Sequence, residues 1–210
     1  MEIRTLIEES IAVKRTLLTD ECLAIISQIG ETMVAALRTG KKILIAGNGG
    51  SAADAQHFAE ELAGRFIIER QGLPVMALTT NSSILTAIGN DFSYDQVFAR
   101  QVEAYGGAGD LFIGITTSGK SKNILEAFIG AKRSGLITVG LLGQDGGPAK
   151  ALCDLALVVP SANTQYIQEA HIVVIHVLCY LVDMAWKTEQ ATDKGKPLPL
   201  DVPKEHPQFI

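Results

Sequence analysis

The sequence predicts an α/β protein in which a doubly wound parallel sheet of about five strands is flanked by helices and preceded by two more. Three observations carry this expectation. Five short apolar runs alternate with stretches of helical period. Each run is apolar at successive positions, as in strands covered on both faces. The balance of 47% hydrophobic to 20% charged residues over 210 positions is enough for one sizeable core without staples.

The elements follow in order. From Ile3 to about Leu18 the apolar residues Ile3, Leu6, Ile7, Ile11, Val13, Leu17 and Leu18 recur at helical spacing, and Thr19 with Asp20 offers a break and a cap. A second helix follows through Leu23, Ile25, Ile26, Ile29, Met33, Val34 and Leu37. The five strand-like runs are Lys42 to Ala46, Leu73 to Leu78, Leu111 to Ile115, Ile137 to Leu142 and Leu155 to Val159. From about Thr164 to Lys187 an apolar-rich stretch without Gly or Pro predicts a closing helix. The prolines at 197, 199, 203 and 207 then mark residues 188–210 as an extended or disordered tail, leaving 1–187 as a single domain.

Composition excludes several classes of function. A net charge of -5 and a pI near 5.4 give no general attraction to phosphodiester backbones or anionic membranes, so neither nucleic acid nor membrane is an expected partner. Cys22, Cys153 and Cys179 are too few and too scattered for a disulfide framework or a zinc ribbon, which suits a reducing cytoplasm. The opening MEIRTLIEES is acidic where a secretory signal would be basic, and no unbroken run of about 18 apolar residues occurs. A mean hydropathy of +0.23 predicts that some apolar helical surface is buried between subunits.

Two loops have the chemistry of a phosphate site. The first strand runs into Gly47, Asn48, Gly49, Gly50 and Ser51 at the start of a helix, where unpaired backbone N–H groups favour an anion. Gly47, Gly49 and Ala52 formally fit the dinucleotide pattern G-x-G-x-x-A, but the second strand leads into Thr79, Thr80 and Asn81 and not into an acidic residue that would hold a ribose. The third strand leads into Thr116, Thr117, Ser118, Gly119, Lys120 and Ser121, whose hydroxyls and ammonium can surround a phosphomonoester or simply cap the following helix.

Three histidines stand near other chemical groups. His57 and Glu61 lie about 40° apart on a helix and share a face, either as a solvated pair or as working groups. His176, among Val174, Ile175, Val177 and Leu178, reads from its neighbours as a core residue. His171 and His176 are about 140° apart on an ideal helix, so they are not expected to face one site.

The segments GNGGSAADAQHFAEELAGRF, LTAIGNDFSYDQVFARQV, TTSGKS and IQEAHIVVIH, in this order, resemble the bacterial phosphoheptose isomerase family of the sugar isomerase (SIS) group. The resemblance covers about Met1 to Lys187. It implies the SIS fold and a cytoplasmic homotetramer with active sites at subunit interfaces. It also implies Zn2+ held by His57, Glu61, Gln168 and His176, with Glu61 and His176 as the acid/base pair. Substrate contacts are implied for Asn48, Gly49, Gly50, Ser51, Glu61, Arg65, Asn90, Asp91, Thr116, Thr117, Ser118, Ser121 and Gln168. The implied reaction converts sedoheptulose 7-phosphate to D-glycero-D-manno-heptose 7-phosphate, the first step towards the nucleotide-linked heptose of lipopolysaccharide or related surface glycans. Two positions depart from the family pattern: Lys120 stands where Asn is usual and Tyr166 where Arg is usual.

The ligand set raises a geometric question. Eight residues of helix rise about 12 Å, so either the helix begins after Gln168 or the ligands come from different subunits. The competing expectation is a non-catalytic SIS protein that binds a replication initiator or another protein; such a relative lacks the acid/base pair that Glu61 and His176 would supply here.

Overall fold

The computed structural model describes residues 2–192. Helices α1 (Ile3–Arg15) and α2 (Asp20–Arg38) precede the sheet. The chain then alternates through β1 (Ile43–Gly47), α3 (Gly50–Ala63), β2 (Val75–Ala77), α4 (Ser82–Asp91), α5 (Ala99–Tyr105) and β3 (Leu111–Thr116). It continues through α6 (Lys122–Arg133), β4 (Ile137–Gly143), α7 (Gly147–Lys150), β5 (Leu155–Val159) and α8 (Thr164–Thr192).

All five strands are parallel, in the order β2-β1-β3-β4-β5. β1 and β3 are therefore neighbours from which the chain departs in opposite directions, which is the switch point where open α/β sheets bind ligands. Gly47, the last residue of β1, pairs with Ile115 near the end of β3, so the two Gly- and Ser-bearing loops start side by side.

Two apolar layers sandwich the sheet. Ile43, Ile45, Ile113 and Leu141 face α2, α3 and α8, while Leu44, Phe112 and Leu142 face α5, α6 and α7. Every residue of β1 and β3 is buried, as their uninterrupted apolar composition requires.

Six elements differ in their bounds from the sequence expectation, and local chemistry accounts for three of them. The first helix ends at Arg15 and tightens into a 3-10 turn over Thr16–Leu18, after which the Thr19 hydroxyl accepts from Cys22 N and caps α2 as expected. β2 is half the expected length: it is an edge strand, Pro74 has no N–H, and Leu73 N donates to Leu62 O in place of a ladder partner. Strands β1, β3 and β4 each run one residue further than their apolar runs. The closing helix continues past Lys187 to Thr192, since no Gly or Pro interrupts it before Gly195. Residues 188–192 thus belong to α8 and not to the tail, and 193–210 lie outside the described residues.

Among the described residues α8 is the one helix long and apolar enough to cross a membrane. Half of its apolar window is buried within the protein, and Asp183 and His171 are fully enclosed on its inner side, as in a core helix.

Candidate active site

The two loops at the switch point leave their helix starts open. α3 begins behind Gly49 and α6 behind Ser121, and neither residue makes a side-chain capping bond. Thr116 and Ser121 bond each other at 3.1 Å, and Ser118 Oγ accepts from Lys120 N at 3.2 Å. Simple capping therefore does not account for these hydroxyls, while the first-turn N–H groups and the helix dipoles favour an anion at both sites. The second loop rests on the turn after β4: Gly119 has φ +65°, and a Cβ there would lie 2.1 Å from the Gly146 carbonyl oxygen.

Asn48 is held by a side chain that sequence reasoning missed. Its Nδ2 donates to Asn123 Oδ1 at 2.9 Å, and the buried Asn123 donates back to Asn48 Oδ1 at 2.8 Å. Tyr94 also donates to Asn48 Oδ1, at 3.3 Å. The exposed Asn90 and Asp91 bond each other, through Asn90 Nδ2 and Asp91 Oδ1. Arg65 is exposed at the end of α3.

Two turns further along α3 the ionisable groups converge. His57 Nε2 lies 2.9 Å from His176 Nε2 and 3.5 Å from Glu61 Oε1, and ligand atoms of the three residues all lie within 4.8 Å of one another. Ligands about 2.0–2.1 Å from one tetrahedral zinc ion stand about 3.3 Å apart, so this set fits such an ion with one position left over. His57 Nδ1 faces Glu60 Oε1 at 3.3 Å, the arrangement that leaves Nε2 free to ligate. Phe66 stacks on the His176 ring with centroids 5.9 Å apart and planes 15° from parallel.

α8 begins at Thr164, before Gln168, so a helix start after Gln168 is excluded. The Gln168 carboxamide instead lies over Gly50, where a Cβ would come within 1.9 Å of its Nε2. It also hydrogen-bonds Asp54, a residue missed from the sequence although it precedes His57 by one helical turn. Burial pushes the Asp54 carboxyl up to about 6, against the opposing pull of His57 and the Gln168 bond. Its Oδ2 has no partner among the described residues.

The assignment of His176 to the core is overturned. His176 is exposed, whereas His171 is fully buried with Nε2 3.0 Å from Leu142 O. The buried stripe of α8 runs through Ile167, Ala170, Val174, Ile175, Leu178, Cys179 and Val182, and the apolar Val173, Val177 and Tyr180 lie outside it beside His176. Tyr166, where the family pattern has Arg, is turned toward α1 and donates to Glu9 Oε2 at 3.0 Å.

Burial pushes the His171 imidazole down to about 4 from its ordinary 6.5. Between these values the unfolded chain binds more protons than the folded one, so the stability this neutral ring contributes is complete above pH 6.5 and lost as pH falls through the window, by up to about 3 kcal/mol. His171→Gln keeps a donor for Leu142 O but does not titrate. Its urea midpoint should fall less than that of the wild type between about pH 7 and pH 4.5, and equal falls would reject this origin of acid sensitivity.

The SIS domain family matches residues 7–143. The chain is 52% identical over 182 residues to the phosphoheptose isomerase of Sulfurimonas denitrificans, covering 86% of this chain and 93% of that one. It is 59% identical over 151 residues to the phosphoheptose isomerase of Geobacter metallireducens, covering 72% and 80% respectively. The solved phosphoheptose isomerase of Francisella tularensis superposes with a TM-score of 0.84 at 38% identity, over 87% of this chain and 96% of that one. That of Neisseria gonorrhoeae gives 0.80 at 42% identity, over 87% and 97%. With a family match over more than half its length and close relatives spanned almost end to end, the chain belongs to the phosphoheptose isomerase family of SIS-domain proteins.

Proposed function

We propose that the protein isomerises sedoheptulose 7-phosphate to D-glycero-D-manno-heptose 7-phosphate through an enediol. The observation that carries this reading is the convergence of Glu61 and His176 beside two uncapped helix starts at the sheet's switch point. Moving the carbonyl from C2 to C1 requires a proton to leave C1 and one to arrive at C2, with a matching exchange between the two oxygens. Glu61 takes the C1 proton and returns it to C2. His176 exchanges protons with the oxygens, its ring held flat against Phe66. The phosphate binds at Thr116, Thr117, Ser118 and Ser121 with added charge from Lys120, and Asn48 to Ser51, Arg65, Asn90, Asp91 and Gln168 contact the sugar. Asn123 and Tyr94 fix the direction of the Asn48 carboxamide.

His57, Glu61 and His176 would hold Zn2+ and, since α8 is continuous from Thr164, Gln168 would be a further ligand only from a different subunit; when bound, the ion polarises the sugar carbonyl and stabilises negative charge on the enediol oxygens. The chain forms a single domain that runs to the end of α8, and the protein works in the cytoplasm, feeding a surface glycan. It assembles as a homotetramer, supported by the exposed Ile3, Leu6, Ile7, Ile11 and Leu18 on the N-terminal helices and by the exposed apolar residues beside His176. Sedimentation at micromolar concentration should give a tetramer, and a monomer would reject the assembly.

Purified protein assayed against ketose 7-, 6- and 5-phosphates should turn over the 7-phosphate fastest. Inactivity on every sugar phosphate would favour a non-catalytic protein-binding role. Ser118→Ala should raise KM for the phosphorylated sugar about tenfold or more, the loss of one hydrogen bond to a charged group, with kcat nearly unchanged. Unchanged KM would remove Ser118 from the phosphate site.

A further inference from the structure

The two helices that carry the clustered side chains are tied together outside the cluster by a buried ion pair. Arg70, in the loop after α3, donates from Nε to Asp183 Oδ1 on α8 at 2.7 Å, and both side chains are wholly enclosed. The other arm of the same guanidinium reaches the carbonyls at the end of α3. Nη1 donates to Leu62 O at 2.8 Å and to Gln71 O at 3.1 Å, and Nη2 donates to the carbonyl of Glu61 itself at 3.1 Å. Asp183 Oδ2 in turn accepts from Ile67 N at 2.8 Å and Ile68 N at 3.1 Å. This pins the loop whose Phe66 stacks on His176.

The register fits a brace for the site. Asp183 follows His176 by two helical turns and lies about 20° from it around α8. Arg70 caps the last turn of the helix that bears His57 and Glu61, where a cation is favoured by the last carbonyls and by the helix dipole; Leu62 O also accepts from Leu73 N. An apolar pair of similar volume would hold α3 against α8 as firmly, since a buried ion pair is weak evidence for stability in itself. What only the planar guanidinium supplies is direction: its donors fix the end of α3, the loop and α8 in one arrangement.

We propose that Arg70 and Asp183 are positioning residues that set the separation of His57 and Glu61 from His176, and the pose of the His176 ring. The inference rests on the proposed role of that cluster. In R70K the charge stays, but a single nitrogen cannot stand in the three places of Nε, Nη1 and Nη2, so the spread of bonds over Asp183 and both α3 carbonyls is lost. D183N, which keeps an acceptor for Ile67 and Ile68 N–H, is made alongside.

Three readouts are taken well below the melting temperature. Zinc affinity, by competition with a chromogenic chelator, should weaken about tenfold to a hundredfold, as for loss of groups that orient ligands. The kcat on sedoheptulose 7-phosphate should fall with KM changed less than about twofold. In metal-free protein the ring-current shift that Phe66 imposes on the His176 Cε1 proton should diminish. A folded variant with wild-type zinc affinity, kcat and ring-current shift overturns the proposal, as does a failure of both variants to fold, which would make the pair a stability element alone. A wild type that binds no zinc and isomerises no sugar phosphate rejects the proposed function instead, and the ring-current shift then still decides whether the pair poses His176.

Discussion

Glu61→Gln should lower kcat by about 10² to 10⁴ while the protein stays folded, because it keeps size and hydrogen bonding but removes the titratable carboxylate. Glu61 also stands 3.5 Å from His57 Nε2 in the cluster that fits a metal ion. Metal content must therefore be measured on the same sample, and turnover compared at saturating zinc. Wild-type protein incubated with sedoheptulose 7-phosphate in D₂O should place deuterium at the reprotonated carbon, to the extent that the base exchanges with solvent. A metal-replete Glu61→Gln enzyme with near-normal turnover would reject Glu61 as the base.

Gly119→Ala should have the largest effect on the loop 116–121, the proposed phosphate site. At φ +65° a Cβ costs about 1–2 kcal/mol, and at 2.1 Å from the Gly146 carbonyl oxygen it must displace backbone, for about 1–3 kcal/mol more. The neighbour is not a side chain that can swing away: Ala149 N also donates to Gly119 O at 3.1 Å, so the two turns are bonded to each other. The urea midpoint should fall, and KM for the sugar phosphate should rise more than tenfold as Ser118 and Lys120 move. A variant with wild-type midpoint and KM would show that the loop tolerates a different backbone path.

The fold was legible in the sequence because strands buried on both faces read as unbroken apolar runs, and LALVV at 155–159 matched its strand to the residue. β2 was read too long, since an apolar run does not reveal that Pro74 has no N–H for a ladder or that Leu73 N bonds Leu62 O, whereas β5, the other edge strand, has no such interruption. The loops were legible because Gly and Ser clusters follow strands, but Asn123 was not, since a buried amide that orients another amide carries no local pattern. The histidines of α8 show the limit most plainly. Apolar residues adjacent in sequence lie about 100° away around a helix, so Val177 does not enclose His176, and with Val173, about 60° from it, marks an exposed apolar face and not a core. Residues three and four positions away carry the information, and they place His171 with Ile167, Val174 and Ile175. Arg70 and Asp183 lie 113 residues apart, and nothing in either neighbourhood announces the other.

The two apolar layers also differ in when a growing chain can complete them. The layer under α5, α6 and α7 draws its buried residues from Leu44 to Ala149 and can close once that stretch has been made. The other draws from Leu17 to Trp186 and takes much of its cover from α8, the last element described. At the usual rates of synthesis the residues between Ala149 and Trp186 take about 2–7 s to appear. During that interval Ile43, Ile45, Ile113 and Leu141 lack that cover, and a nascent chain stalled before Thr164 presents part of an apolar sheet face to whatever else is near it.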